Sequence, residues 1–157
     1  MHTQDTIRTL NRLIRVCRDA EEFCRVGAGR ARRADLSVLL RTRSEEWGRL
    51  GDELQALVLL LDGAPATNGT GAAHARRLWL VLRTALSASA DTAIVAAWED
   101  MQHSAWECYA EAISGYLPER IRRTVGLQAD RIWDRCGDPP SRLRSTPALA
   151  GRAPRAV

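Results

Sequence analysis

Apolar and polar residues follow one another with the period of an α-helix along most of this chain. Apolar side chains recur every three or four positions, which places them on one face of a helix. Strand-like alternation is missing from the sequence, so the fold class is predicted to be all-α. The pattern predicts four long helices and one short helix, at residues 5–32, 36–61, 92–116, 119–136 and 74–86.

The lengths of the connections predict how these helices are arranged. Only a few residues separate the first long helix from the second, and the third from the fourth, so each pair should form an antiparallel hairpin. The link between the second and third long helices can cross the bundle from end to end, which would leave those two helices parallel. We therefore expect a ferritin-like four-helix bundle with a long helical crossover. An up-down bundle with a lid helix is the alternative.

Charge and composition distinguish a body from a tail. The chain has 157 residues and a formal net charge of +4, of which four arginines and one aspartate in residues 137–157 supply +3. We expect a bundle over residues 1–137 and a disordered basic Pro- and Arg-rich tail over residues 138–157. A nearly neutral body makes nucleic-acid binding unlikely for that part. The polar N-terminus and short apolar runs predict a cytoplasmic protein without a membrane segment.

Polar residues on the inner helix faces form the candidate site. Counting about 1.5 Å per residue from the hairpin turns places polar residues of all four helices at one height. This predicted central polar layer consists of Glu21, Arg43, Glu46, Gln102 and Gln128. We interpret it as a network in which Arg43 pairs with Glu21 and Glu46 and the glutamines bridge them, because buried polar groups need partners. The alternative is that these residues lie at helix edges and reach solvent.

A ferritin-like di-metal centre would lie in the same layer, with a Glu from each of two helices and a Glu-x-x-His from each of the others. No Glu-x-x-His occurs here, and the neutral amides of Gln102 and Gln128 stand where carboxylates are expected. Since iron and manganese need anionic oxygen ligands, the sequence predicts no metal, no cofactor and no catalytic residue. The alternative is a di-iron or di-manganese oxidase or metal store that uses Glu21, Glu46, Glu53 and Glu99.

Histidines and cysteines offer no second site. Glu99, His103 and Glu107 are four residues apart, but this row turns away from the inner face and is interpreted as solvated. None of the cysteines forms a CxxC pair, so they are predicted to be buried free thiols. They lie at Cys17, Cys24, Cys108 and Cys136.

Several ordered segments resemble a family of uncharacterised bacterial ferritin-like four-helix-bundle proteins, a domain of unknown function. They are LNRLI (10–14), CRDAEE (17–22), ELQ (53–55), HARRLW (74–79), WE (98–99) and YAEA (109–112), followed by Leu117-Pro118 and Gln128. The resemblance covers about residues 5–137 and implies the fold. Gln102 stands where the family pattern has an acidic residue, and Cys136 stands where it has a histidine near the end of the fourth helix.

These observations predict a non-enzymatic helical bundle with a degenerate metal site. Its role would be binding, structural or stress-related, and a homodimer is possible. Val16 and Phe23, which the helical period places on the outer side of the first helix, are candidates for a partner surface.

Overall fold

The computed structural model describes residues 2–70 and 90–136 of the chain, which form four helices. They are α1 (His2–Arg30), α2 (Ala34–Leu60), α3 (Ala90–Ser114) and α4 (Glu119–Cys136). These ranges contain no strand, and the predicted all-α four-helix bundle is confirmed. None of the described helices combines the length and apolar character that crossing a membrane requires. The predicted short helix at 74–86 and the predicted tail at 138–157 lie outside the described residues.

Contacts at the two ends of the bundle fix the direction of α3. Its Asp91 carboxylate accepts hydrogen bonds from the backbone N–H groups of Arg32 (2.8 Å) and Arg33 (2.9 Å), so α3 begins beside the turn between α1 and α2. Near the other end, Glu111 pairs with Arg12 of α1 at 2.6 Å. Helix α3 is therefore antiparallel to α1 and parallel to α2. The end of α2 and the start of α3 therefore lie at opposite ends of the bundle, as the predicted crossover requires.

Helix α2 ends in a left-handed turn. Asp62 has a φ of 55°, and its N–H donates to the carbonyl of Leu59 at 3.0 Å. The N–H of Gly63 reaches back to the carbonyl of Val58, also at 3.0 Å. This pair of bonds is the Schellman pattern, with aspartate rather than glycine in the left-handed position. The turn sends the chain back along α1.

Residues 62–70, which we name the strap, form the first part of the crossover. Asn11 donates to the carbonyl of Ala64 at 3.0 Å and accepts from the N–H of Ala66 at 2.7 Å. Further along, the Asp19 carboxylate accepts from the N–H of Thr70 at 3.1 Å and from its hydroxyl at 2.6 Å. Asn11 and Asp19 are separated by about 12 Å of helical rise. The strap thus climbs α1 toward the α1–α2 turn.

The core takes large apolar side chains from all four helices, as the helical periodicity predicts. Phe23, however, belongs to this core: only 1% of it is exposed, and its ring stacks on Trp98 of α3 with centroids 6.3 Å apart. The prediction of an outward-facing Phe23 is wrong because α3 packs against that side of α1. Val16 is partly buried against the same core. The fully buried large side chains include Leu10, Leu13, Ile14, Leu36, Leu40, Leu54, Ile94 and Ile132.

Candidate functional site

A chain of hydrogen bonds connects one side chain from each helix through the middle of the bundle. The Cys17 thiol of α1 lies 3.2 Å from the hydroxyl of Tyr109 on α3. That hydroxyl donates to Oε1 of Gln128 on α4 at 2.8 Å. Nε2 of Gln128 in turn donates to Oε2 of Glu53 on α2 at 2.7 Å. We refer to Cys17, Tyr109, Gln128 and Glu53 as the four-helix chain.

The four-helix chain has one direction. A tyrosine hydroxyl carries a single proton, and here Gln128 receives it, so the Cys17 thiol has to donate to the tyrosine oxygen. Each hydrogen bond of the chain therefore points the same way, from the buried thiol donor to the Glu53 carboxylate acceptor at the surface. The amide of Gln128 also donates to the backbone carbonyl of Leu50 at 3.4 Å. Both ends of this amide are satisfied, although only 1% of the residue is exposed.

The inner helix faces place these polar groups among apolar neighbours. Tyr109 follows Ala105 and precedes Ala112 on the buried stripe of α3, whose small side chains leave room for the phenol ring. Gln128 occupies the same stripe of α4 as the buried Val125 and Ile132. A buried amide is tolerated at this position because it forms hydrogen bonds with the Tyr109 hydroxyl and the Glu53 carboxylate. The pairing therefore fixes the register of α4 against α2 and α3.

Burial keeps the inner end of the chain neutral. Removal from water raises the pKa of the Cys17 thiol to about 12, against its ordinary value of 9.0. Burial also raises the pKa of Tyr109 well above 10.0, and the neighbouring thiol adds to that effect. At neutral pH both groups are protonated donors. Because the thiolate is the nucleophilic form of cysteine, Cys17 is a structural thiol in this state.

A second polar group lies between α1 and α2. Arg18 donates to Glu21 at 2.9 Å and to Asp52 at 2.6 Å, so its guanidinium joins a carboxylate of each helix. Gly48 makes room for this arrangement, because a Cβ built there would lie 2.8 Å from Oε1 of Glu21. The sequence prediction gave Arg43 as the partner of Glu21; the cation that binds it is Arg18, one helical turn away on the same helix.

A third polar group lies between α2 and α4. The Glu46 carboxylate accepts from Arg43 at 2.8 Å and from Arg135 at 2.9 Å, both on the same oxygen. Arg43 is 9% exposed, and its charge lies close enough to oppose the rise in the pKa of the Cys24 thiol that burial causes. One oxygen of the Glu46 carboxylate thus accepts from two guanidinium groups. This oxygen would have to exchange an arginine for the ion in order to bind a metal cation.

The structure buries Arg43, Gln102 and Gln128, leaves Glu21 and Glu46 half-buried, and divides the five residues of the predicted layer among separate groups. Arg43 and Glu46 lie in contact, Glu21 is paired with Arg18, and Gln128 belongs to the four-helix chain. Gln102 is also inside, with 2% exposed, two turns before Tyr109 on α3. Sequence reasoning treated Cys17 and Tyr109 as packing residues. The available signal was their position on the same stripes as the selected polar residues.

Carboxylates of the alternative metal set already interact with side chains of the bundle. Glu21 and Glu46 pair with arginines, and Glu53 binds the amide of Gln128. Glu99 is half-buried on α3. Residues 2–70 and 90–136 contain no cluster of three or more His, Cys, Asp or Glu that could hold a metal ion. The donor groups present do not fit a di-iron or di-manganese centre, because cations and an amide occupy the positions around the carboxylates.

The row on α3 follows the expected exposure at His103 and Glu107 but not at Glu99. His103 and Glu107 are exposed and form a 3.3 Å pair with each other, whereas Glu99 is turned partly inward. Two members of the row therefore face solvent on the outer side of the bundle. The cysteines are likewise free where their state is described: Cys17 and Cys24 are buried, and Cys108 is half-buried.

A family model matches this chain over residues 5–115, and its description is a domain of unknown function, DUF2383. The match covers more than half of the chain, which therefore belongs to the DUF2383 family. It includes α1, α2 and α3, whereas Gln128 and Arg135 of α4 lie beyond it. No curated protein matches the sequence.

Replacing Tyr109 by phenylalanine tests the four-helix chain. The Tyr109→Phe variant keeps the ring but leaves the Cys17 thiol and Oε1 of Gln128 without their shared partner. We expect its free energy of unfolding to fall by about 1–3 kcal/mol, the cost of buried unsatisfied polar groups. Tyr116→Phe is the matched control, because Tyr116 is exposed and its hydroxyl should contribute less than about 0.5 kcal/mol. Urea denaturation measures both, and equal stabilities of the two variants would contradict the assignment.

Alkaline pH should destabilise the fold through the buried thiols and Tyr109. Their folded-state pKa values are raised, so the folded chain keeps protons that the unfolded chain releases once the pH passes 9.0. The free energy of unfolding should be at its full value below that pH. It should then fall by up to about 1.4 kcal/mol per pH unit for each group. Urea denaturation at about pH 8 to about pH 11 measures the slope, and a stability that stays level over this window would contradict the assignment.

Proposed function

We propose that this DUF2383 protein is a non-enzymatic binding or structural module on a ferritin-like bundle whose metal site is degenerate. The observation that carries the proposal is the four-helix chain, whose buried members Cys17, Tyr109 and Gln128 place neutral hydrogen-bonding groups at the centre of the bundle. A di-metal oxidase needs an open, anionic coordination sphere in that place. Here the Tyr109 phenol and the Gln128 amide occupy the interior, and their polar atoms are engaged in hydrogen bonds with other side chains.

The charges around the centre support the same proposal. Arg18, Arg43 and Arg135 each donate to a carboxylate that the metal hypothesis would require as a ligand. Loading a divalent cation would displace an arginine and leave that guanidinium near a second positive charge. The cost of an unpaired, partly buried charge amounts to several kcal/mol. The bundle would then gain metal only by losing ion pairs within α1 and α2 or the Arg135–Glu46 pair that joins α4 to α2.

We propose that the module binds its partner through the outer surface, because the Tyr109 and Gln128 side chains occupy the interior. The family resemblance supports a bacterial setting, and the polar N-terminus and short apolar runs support a cytoplasmic location; the proposal includes a stress-related role for this module. The body of the chain is nearly neutral, and we therefore assign it a protein partner rather than nucleic acid. The proposed partner surface belongs to the body of the chain and does not include the basic residues of 137–157.

Metal analysis tests the proposal directly. Protein purified without chelators from cells supplemented with iron or manganese should contain far less than one ion per chain. The Glu46→Gln and Glu53→Gln variants are matched controls, because each removes one carboxylate that a di-metal centre would use. We expect the same trace content in all three proteins. A stoichiometric amount of iron or manganese in the parent that is lost in either variant would overturn the proposal in favour of the oxidase or metal store.

We also propose that the module forms a homodimer through the apolar end of α2. Leu59 and Leu60 are adjacent and are 60% and 77% exposed, an unusual position for two leucines. Sedimentation velocity over a range of concentrations should show a dimer, and Leu60→Glu should shift it to monomer. Val38→Glu is the control, since Val38 is similarly exposed at the other end of α2. A strict monomer at every concentration would rule the dimer out.

A further inference from the structure

The strap carries an exposed asparagine directly before a glycine. Asn68 and Gly69 lie between the two points at which α1 holds the strap, Ala66 and Thr70. Neither residue belongs to a helix or strand, and the Asn68 side chain faces solvent. Backbone and side chain of Asn68 are therefore freer to change conformation than those of a residue inside a helix.

The fold requires glycine at position 69. A Cβ atom built there would overlap Oδ1 of Asp19 and would lie 2.9 Å from its Cγ. The same Asp19 carboxylate holds the N–H and the hydroxyl of Thr70. Any side chain at position 69 would push the strap away from α1 and break this clamp. The Asp19 clamp thus keeps a residue without a side chain next to Asn68, and such a neighbour hinders attack by its own backbone nitrogen least.

We propose that Asn68 is a site of spontaneous deamidation that releases the strap from Asp19. The backbone nitrogen of Gly69 attacks Cγ of Asn68 and forms a new C–N bond, closing a five-membered succinimide. The Gly69 nitrogen gives up its proton, and the side-chain amide takes up a proton and leaves as ammonia. Water then opens the ring at either carbonyl, giving aspartate or isoaspartate. The only co-reactant is water, and no electrons are transferred.

Both products act against the Asp19 clamp. Each carries a new carboxylate at residue 68, beside the glycine that packs against Asp19, and this added negative charge disfavours the approach of the Asp19 carboxylate to the strap. The isoaspartyl product also moves the main chain through the former side-chain methylene, which lengthens the path between the anchors at Ala66 and Thr70. The bonds from Thr70 to Asp19 should therefore be lost, while the Asn11 contacts at Ala64 and Ala66 can persist.

The other asparagine of the chain is an internal control. Asn11 lies inside α1, precedes an arginine, and uses both its oxygen and its nitrogen in hydrogen bonds to the strap. The i→i−4 bonds of the helix hold its backbone, so the succinimide geometry is out of reach. Asp62-Gly63 is a second dipeptide that could cyclise, and in labelled water it would also take up ¹⁸O, but it loses no nitrogen. Replacement of the side-chain nitrogen by labelled oxygen, located at residue 68 by fragmentation of the peptide, therefore reports Asn68 alone.

Peptide mapping of the full chain tests the proposal. The protein is held at mildly alkaline pH in ¹⁸O-labelled water and digested with trypsin, and the peptide of residues 50–76 is followed by mass spectrometry. We expect progressive exchange of the Asn68 amide for a labelled carboxyl, with Asn11 unchanged and with no conversion in the Asn68→Gln variant. A synthetic peptide of residues 62–72 sets the reference rate. Intact Asn68 over the time in which that peptide converts would overturn the proposed site.

Hydrogen exchange tests the release of the strap. The converted protein carries one more negative charge on a chain whose net charge is +4, so it can be separated from the parent by cation exchange. Its Thr70 amide should exchange at least several-fold faster than in the parent or in Asn68→Gln, whereas the Ala66 amide should keep its protection. Equal Thr70 exchange in converted and unconverted protein would overturn the release. Neither result depends on the metal content or the oligomeric state.

Discussion

Everything at the centre of this bundle depends on the need to pair the buried amide of Gln128. An amide without partners in an apolar interior would cost more than a typical packing contact returns. Tyr109 supplies a donor from one neighbouring helix and Glu53 supplies an acceptor from another. The Cys17 thiol in turn donates to the Tyr109 hydroxyl oxygen. Since these side chains come from four helices, a shift of any helix along its axis would leave at least one group unpaired. The four-helix chain therefore acts as a register mark for the fold, the best-attested use of buried polar groups.

The ion pairs around the centre bear on our proposal that this chain lacks the di-metal chemistry of ferritin-like bundles. A di-metal bundle surrounds its centre with carboxylates whose charges the ions neutralise. In this chain arginines pair with the carboxylates: Arg18 binds Glu21 and Asp52, and Arg43 and Arg135 both bind Glu46. Two of these pairs, Arg18–Asp52 and Arg135–Glu46, connect different helices. We accordingly propose that the chain acts through its surface.

The four long helices and the parallel direction of α2 and α3 could be predicted from the sequence because they depend on quantities that the sequence contains. The period of the apolar residues gives the helical segments, and the lengths of the links limit their order. The pairing of side chains depends on angles that differ by a fraction of a turn. Glu21 could reach either Arg18 or Arg43, and only the close approach at Gly48 decides between them. Phe23 was misplaced for a related reason, since periodicity within α1 cannot tell which side α3 will cover.

The central claim is that Tyr109 and Gln128 stabilise the bundle through one another, and a double-mutant cycle tests it most directly. Tyr109→Phe, Gln128→Met and the double variant would be unfolded in urea at neutral pH. If the two residues are partners in one buried chain, the second substitution should cost less when the first is already present. The coupling energy should then be about 1 kcal/mol or more. Additive losses within about 0.5 kcal/mol would contradict the account, because they would mean that the two side chains act independently.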